Sequence, residues 1–194
     1  MAARKKISQQ EVEERLARLE EELSALKAAY MGVALDEARR PAGAFQILTF
    51  VVGGAFYGIP LWAVAGVSWA VAATEEQRLS APYIGLVNFH GDLVPLIDGA
   101  LAFGGSRRLT SPQDQIIYVA AGGRRVGLLA SAALDVETLD GVQITMAGEA
   151  SLDRKLYFGV AERRGEMVRI LEPIGVATGV AFGAALEDFG ERPF

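Results

Sequence analysis

Residues 41–74 contain not one charged side chain, and Arg39-Arg40 stands directly before them. A run of that length can cross a bilayer as a helix. Its punctuation argues otherwise, because Gly43, Gly53, Gly54, Gly58, Pro60 and Gly66 cut it into short pieces. Phe, Val, Ile, Thr, Tyr and Trp fill those pieces, a composition that suits buried strands joined by tight turns. Direct membrane insertion is therefore not expected.

The rest of the composition agrees with a globular domain. Apolar residues make up 51% of the 194 and charged residues 22%, which supports a sizeable core and excludes general disorder. A chain of this length accommodates one domain plus a short extension. Net charge is −5, and residues 1–40 balance eight Lys/Arg against eight Asp/Glu, so the whole excess falls on residues 41–194. No basic face is implied, and nucleic acid is a poor partner for such a domain. The absence of cysteine removes disulfides, thiolate nucleophiles and thiolate metal ligands. Residues 1–10 are basic and polar with no apolar core behind them, unlike a signal peptide, so the cytoplasm is the expected compartment.

The N-terminal extension, residues 1–40, carries the clearest helical pattern. Val12, Leu16, Leu19, Leu23, Leu26, Tyr30 and Val33 follow spacings of 4, 3, 4, 3, 4 and 3, an unbroken heptad seam with coiled-coil potential. Ser8 and Glu11 form a capping-box pattern at its start, and Pro41 ends it. An isolated helix of this length is marginal in water, so the seam needs a partner. Folding back on its own domain, self-association as a homodimer and docking to another protein all stay open.

After residue 44 the pattern changes to short strands. Residues 45–52 and 55–59 read as a hairpin about Gly53-Gly54, and a third strand runs through 64–72. Further strands are expected at 83–89, 93–97, 116–121 and 125–129, the last two joined at Gly122-Gly123. A final hairpin, 156–161 and 168–171, brackets Arg164-Gly165. Some nine short strands with glycine turns predict barrels or a sandwich. The polar loop 106–115 marks a division into two halves of similar size, and 175–186 reads as a closing strand or a short helix.

Catalytic potential is thin. His90 is the single histidine, so a histidine metal cluster fails on ligand count. Asp92 or Asp98 could pair with it, yet no serine sits in a nucleophile-elbow setting. Gly104-Gly105-Ser106-Arg107-Arg108 lacks the Lys-Ser/Thr ending of a phosphate loop. Asp135, Glu137 and Asp140 lack calcium-loop spacing and read as a solvated edge. No enzymatic activity and no cofactor are expected.

One stretch is specific. Gly85-Leu86-Val87-Asn88-Phe89-His90-Gly91-Asp92-Leu93-Val94-Pro95-Leu96-Ile97-Asp98 resembles the signature of CheW-type chemotaxis coupling proteins, approximately Gly-x-x-Asn-Leu-Arg-Gly-x-(Val/Ile)-Val-Pro-(Val/Ile)-(Val/Ile)-Asp. Tyr57-Gly58-Ile59 with Val64 and Val67 is similar to the family's opening strands. Val126-Gly127-Leu128-Leu129, Phe158-Gly159-Val160-Ala161 and Met167-Val168-Arg169-Ile170-Leu171 are similar to its later ones. The resemblance covers about residues 44–175 of a domain spanning 41–194 and excludes the heptad helix.

The resemblance implies a mainly β fold of two SH3-like five-stranded barrels, here preceded by the N-terminal helix. It implies a non-catalytic adaptor that binds the regulatory domain of a CheA-type histidine kinase and the cytoplasmic tips of chemoreceptors, within chemosensory clusters. Val64, Gly66, Asn88, His90, Gly91, Val94 and Pro95 are the partner-binding positions it suggests, several of them as scaffold of the surface. Four positions depart from the family pattern. His90 replaces an arginine, Gly66 an acidic residue, Gly99-Ala100 a Leu-Arg pair and Ser131 an aspartate. Histidine cannot offer the five-donor fork of arginine, so receptor coupling transfers only in part. The alternative is a divergent scaffold for polar localisation or motility control, its partner chosen by the N-terminal helix.

Overall fold

The computed structural model describes residues 43–76, 79–107, 109–140 and 143–182. The heptad seam from Val12 to Val33 lies outside the described residues. Eleven strands occur among those described: β1 (Ala44–Val52), β2 (Ala55–Pro60), β3 (Val64–Trp69), β4 (Tyr83–Phe89), β5 (Asp92–Asp98), β6 (Gln115–Ala121), β7 (Arg124–Ala130), β8 (Ala132–Asp140), β9 (Ile144–Met146), β10 (Tyr157–Arg163) and β11 (Glu166–Leu171). Two short helices, α1 (Gly99–Ala102) and α2 (Pro173–Thr178), complete the framework with 3-10 turns at Leu61–Ala63 and Val180–Phe182.

The strands form two sheets, ordered β8-β1-β2-β11-β10-β9 and β3-β6-β7-β5-β4. The first therefore has six strands, one more than the five expected, because β9 adds a three-residue edge beside β10. The uncharged stretch becomes β1, β2, a 3-10 turn and β3, and no helix among the described residues is long and apolar enough to cross a membrane.

The expected division at residues 106–115 is wrong. That loop lies inside the second sheet, between α1 and β6, and the first sheet contains both the opening strands β1–β2 and the closing strands β8–β11. Strands β3–β7 are thus one insertion within the first sheet, joined to it through the turn at Leu61–Ala63 and the step from β7 to β8.

Glycine pairs set the hairpins as expected. Gly53-Gly54 and Gly122-Gly123 take positive φ at both positions, which matches the twist of flanking strands and which side chains resist. Each sheet also closes on itself. Across the first, Arg163 of β10 reaches Asp135 and Glu137 of β8. Across the second, Thr74 pairs with Leu86 of β4 through two 2.8 Å backbone hydrogen bonds, which carries the chain after β3 round to the opposite edge.

Three apolar clusters hold this arrangement. The largest draws Phe50 and Ile59 from the first sheet together with Ile97, Ile117, Val126 and Leu128 from the second, and Val176 and Ala177 of α2 pack on it. Ile47, Ile144, Met146, Val168 and Ile170 fill the first barrel; Val87, Val94, Leu96, Ile116 and Tyr118 fill the second. Each fully buried aliphatic side chain contributes about 1.5–3 kcal/mol. A shared core of this size couples the two barrels into one folding unit.

The tail takes the second of its two expected forms, the short helix α2, which begins two residues before the segment read from the sequence. Glu172 caps it by accepting a hydrogen bond from the Ile174 amide, and Pro173 occupies its first turn. The tryptophans of the uncharged stretch are not interior: Trp62, in the 3-10 turn Leu61–Ala63, is 68% exposed, and Trp69, at the end of edge strand β3, is 64% exposed.

Candidate functional site: the β4–β5 hairpin

The β4–β5 hairpin turns on His90-Gly91, with φ of 55° and 97°. Positive φ at both central residues is the two-residue turn that tight hairpins favour, and histidine is among the side chains that tolerate it. Asn88 fixes the turn from one side, its Oδ1 accepting from the Gly91 amide at 3.1 Å. Asn88, His90 and Gly91 are exposed at the tip.

Behind the tip stands an aromatic stack. The Phe89 ring lies 3.8 Å from that of Tyr118 on β6, at an interplanar angle of 26°, while the His90 ring meets it edge-on at 4.3 Å. Tyr118 is fully buried, and its hydroxyl lies 3.3 Å from Ser68 Oγ on β3. Gly66 lies on β3 over the same ring, and a Cβ added there would stand 3.1 Å from Phe89 Cζ. The missing side chain at Gly66 is what lets a phenyl ring lie across the closure of the second barrel.

A cation completes the group. The Arg125 guanidinium of β7 sits 5.5 Å from the Phe89 ring centroid and bonds Asp92 Oδ2 through Nη1 at 2.7 Å. A guanidinium over an aromatic face is held by the ring quadrupole as well as by its anion. The hairpin tip therefore carries, within one side-chain length, an imidazole, a phenyl face, a guanidinium and a carboxylate.

The sequence-derived positions divide by burial. Gly66, Asn88, His90 and Gly91 gather at this end of the second barrel, and Val64 lies half-buried at the start of β3, opposite Val119. Val94 and Pro95 are buried in the hairpin, with Val94 in the barrel core and Pro95 one residue before β5 begins its parallel pairing with β7 at Leu96. They shape the surface from beneath. Phe89, Tyr118 and Arg125 were not singled out from sequence, and Asp92 was named only as a possible pair for His90, whereas it bonds Arg125. Phe89 carried a usable signal, since the family pattern has leucine there; Arg125 carried none, because its neighbourhood is set by pairing across the sheet.

The end of the signature is also structural. Asp98 is buried and caps α1, its Oδ1 accepting from the amides of Ala100 at 2.9 Å and Leu101 at 3.3 Å. Gly99 follows because a Cβ there would lie 2.5 Å from the Leu129 carbonyl oxygen.

Twin sheets with a shared core, an Asn-anchored β4–β5 turn and an aspartate-capped helix after it define a class. The chain belongs to the CheW-like domain family, whose profile matches residues 46–180. It is similar to the chemotaxis protein CheW of Rhizobium meliloti (strain 1021), with 25% identity over 132 residues that cover 67% of this chain and 85% of that protein. The crystal structure of the scaffolding protein TtCheW from Thermoanaerobacter tengcongensis superposes with a TM-score of 0.61 at 25% identity, covering 67% of this chain and 90% of that one.

Proposed function

We propose that the chain is a non-catalytic adaptor of a chemosensory complex, joining the cytoplasmic tips of chemoreceptors to the regulatory domain of a CheA-type histidine kinase. Family membership over residues 46–180 supports the class. The observation that carries the reading is the β4–β5 tip, where Asn88 and Gly91 hold the turn while the side chains around it face solvent. An adaptor needs rigid surfaces rather than reactive groups, and a rigid hairpin on a doubly cored scaffold supplies one. Coupling follows if one molecule contacts both partners, so that a receptor state biases the kinase by differential contact. The expected site is a chemosensory cluster in the cytoplasm. The direct test is binding of the full chain to the isolated kinase regulatory domain and to receptor-tip fragments from the same cell. Binding to both supports the adaptor; binding to neither removes it.

A second reading is favoured by Gly66 and His90, which depart from the family pattern at the contact surface. In it the domain scaffolds polar positioning or motility control, and residues 1–40 form a separate extension that recruits the partner or a second copy. Deleting residues 1–40 separates the two. Lost localisation with kinase binding intact supports the second reading, and unchanged localisation supports the first.

A further inference from the structure

We propose that Arg125 is the specificity-determining cation of the hairpin surface, presented by Phe89 and Asp92 to a carboxylate on the receptor tip. The proposal rests on the adaptor reading and names the chemistry of its receptor contact. Three observations carry it. The guanidinium is anchored from two directions, by the Phe89 ring at 5.5 Å and by Asp92 at 2.7 Å, so little rotamer freedom remains to be lost on binding. The pair is open, with the Arg125 side chain 38% and the Asp92 side chain 70% exposed. Nη1 is engaged by Asp92 and Nε is buried, so the terminal amino end of the planar guanidinium is the part that can meet a second carboxylate.

The placement is purposeful for recognition and unnecessary for folding. An exposed ion pair contributes little to stability because both charges are already well solvated. The Phe89 platform, by contrast, lies close over β3 where glycine at position 66 leaves it room, since a Cβ there would stand 3.1 Å from Cζ. His90, edge-on to the same ring, cannot offer the five-donor planar fork that the Arg125 guanidinium presents. A domain whose charge excess is negative thus shows a fixed cation at the end of the second barrel. Such a point selects partners by sign.

The experiment measures affinity of the full chain for the receptor-tip fragment and for the kinase regulatory domain, with Arg125→Ala, Arg125→Lys and Asp92→Asn variants and at low and high salt. Arg125→Ala is expected to weaken receptor binding about tenfold, as loss of a charge-assisted hydrogen bond does. It should flatten the salt dependence while leaving kinase binding and the thermal midpoint close to the parent. Arg125→Lys recovers part of the loss. Asp92→Asn is the discriminating variant. Its amide still offers an oxygen that accepts from the guanidinium while the competing carboxylate charge is gone, so a presented cation predicts receptor binding at least as tight as the parent, whereas a merely structural ion pair predicts the same loss as Arg125→Ala. Equal losses in the two variants, or parental affinity in Arg125→Ala, overturn the proposal and leave the adaptor reading standing. Parental protein that binds neither partner removes both.

Discussion

Gly66 of β3 and Phe89 of β4 occupy one another's space: a Cβ on the glycine would stand 3.1 Å from Cζ and 3.3 Å from Cε2 of the ring. The two positions are therefore one structural choice. A side chain at 66 requires a smaller or displaced residue at 89, and the ring in turn packs on both Tyr118 and Arg125.

This coupling is measurable. Gly66→Ala is expected to cost about 1–2 kcal/mol by forcing the ring aside. In a Phe89→Leu background the same change should cost less, so a double-mutant cycle by urea denaturation reports a non-zero interaction. Additive costs would show that the ring has room to move.

Buried Thr49 replaces part of a backbone ladder at the β1–β8 bulge. Its hydroxyl donates to the Asp135 carbonyl at 2.9 Å and accepts from the Asp135 amide at 3.3 Å, where the pairing register shifts between Leu48 and Phe50. Thr49→Val keeps the shape and orphans both backbone groups, so a loss of about 1–3 kcal/mol is expected. Thr49→Ser should lose less. Equal urea midpoints for Thr49→Val and the parent would contradict this.

Alkaline stability follows from Tyr83. The residue is 6% exposed, its hydroxyl has no hydrogen-bond partner among the described residues, and burial pushes its pKa from 10.0 up to about 12. The folded state thus holds the neutral phenol more firmly than the unfolded chain does. That contribution is complete below pH 10 and disappears as pH rises through about 12. Tyr83→Phe should match or exceed the parent near neutrality and lose less stability between those two values. Parallel pH–stability curves for the two proteins would refute the assignment. Tyr57 and Tyr157 shift in the same direction, chiefly through burial, so the parent curve includes their share.

Close approach at Gly99 gives a further outcome. A Cβ there would lie 2.5 Å from the Leu129 carbonyl oxygen and 3.2 Å from Val52, contacts that backbone cannot relieve cheaply. Gly99→Ala is expected to cost about 1–3 kcal/mol and to lower the thermal midpoint. A midpoint equal to that of the parent would mean that α1 can shift away from β7.

Much of the architecture was legible because its signals are local. Paired glycines mark hairpins by the backbone they permit, and Gly53-Gly54 and Gly122-Gly123 turn where expected. The signature from Gly85 to Asp98 folds as strand, turn, strand and helix cap. Strands β8 and β9 escaped notice for a physical reason. In β8 the residues Leu134 and Val136 alternate with Asp135 and Glu137, yet the apolar members are exposed and the acidic pair meets Arg163. An edge that closes a barrel through an ion pair reads, residue by residue, as merely a solvated acidic edge. Strand β9 has three residues and is too short to show a period.

The site was legible only in part. Asn88 and Gly91 act within the turn itself, so neighbours in sequence reveal them. The group around Phe89 draws on all five strands of the second sheet, and Asp92 and Arg125 are 33 residues apart. Register decides such encounters, and parallel pairing of β5 with β7 at Leu96, Ile97 and Asp98 is set by the insertion topology rather than by any motif. The error over residues 106–115 has the same origin, since a polar loop looks alike between barrels and within one.

The adaptor account stands most directly on a three-component sedimentation measurement. Clustered receptor-tip fragments, the CheA-type kinase of the same cell and the full chain are mixed, and the kinase carried down with the receptors is measured with and without the chain. The account predicts that kinase enters the pellet only when the chain is present. Kinase recovery that is indifferent to the chain, with the chain itself left in the supernatant, would contradict it.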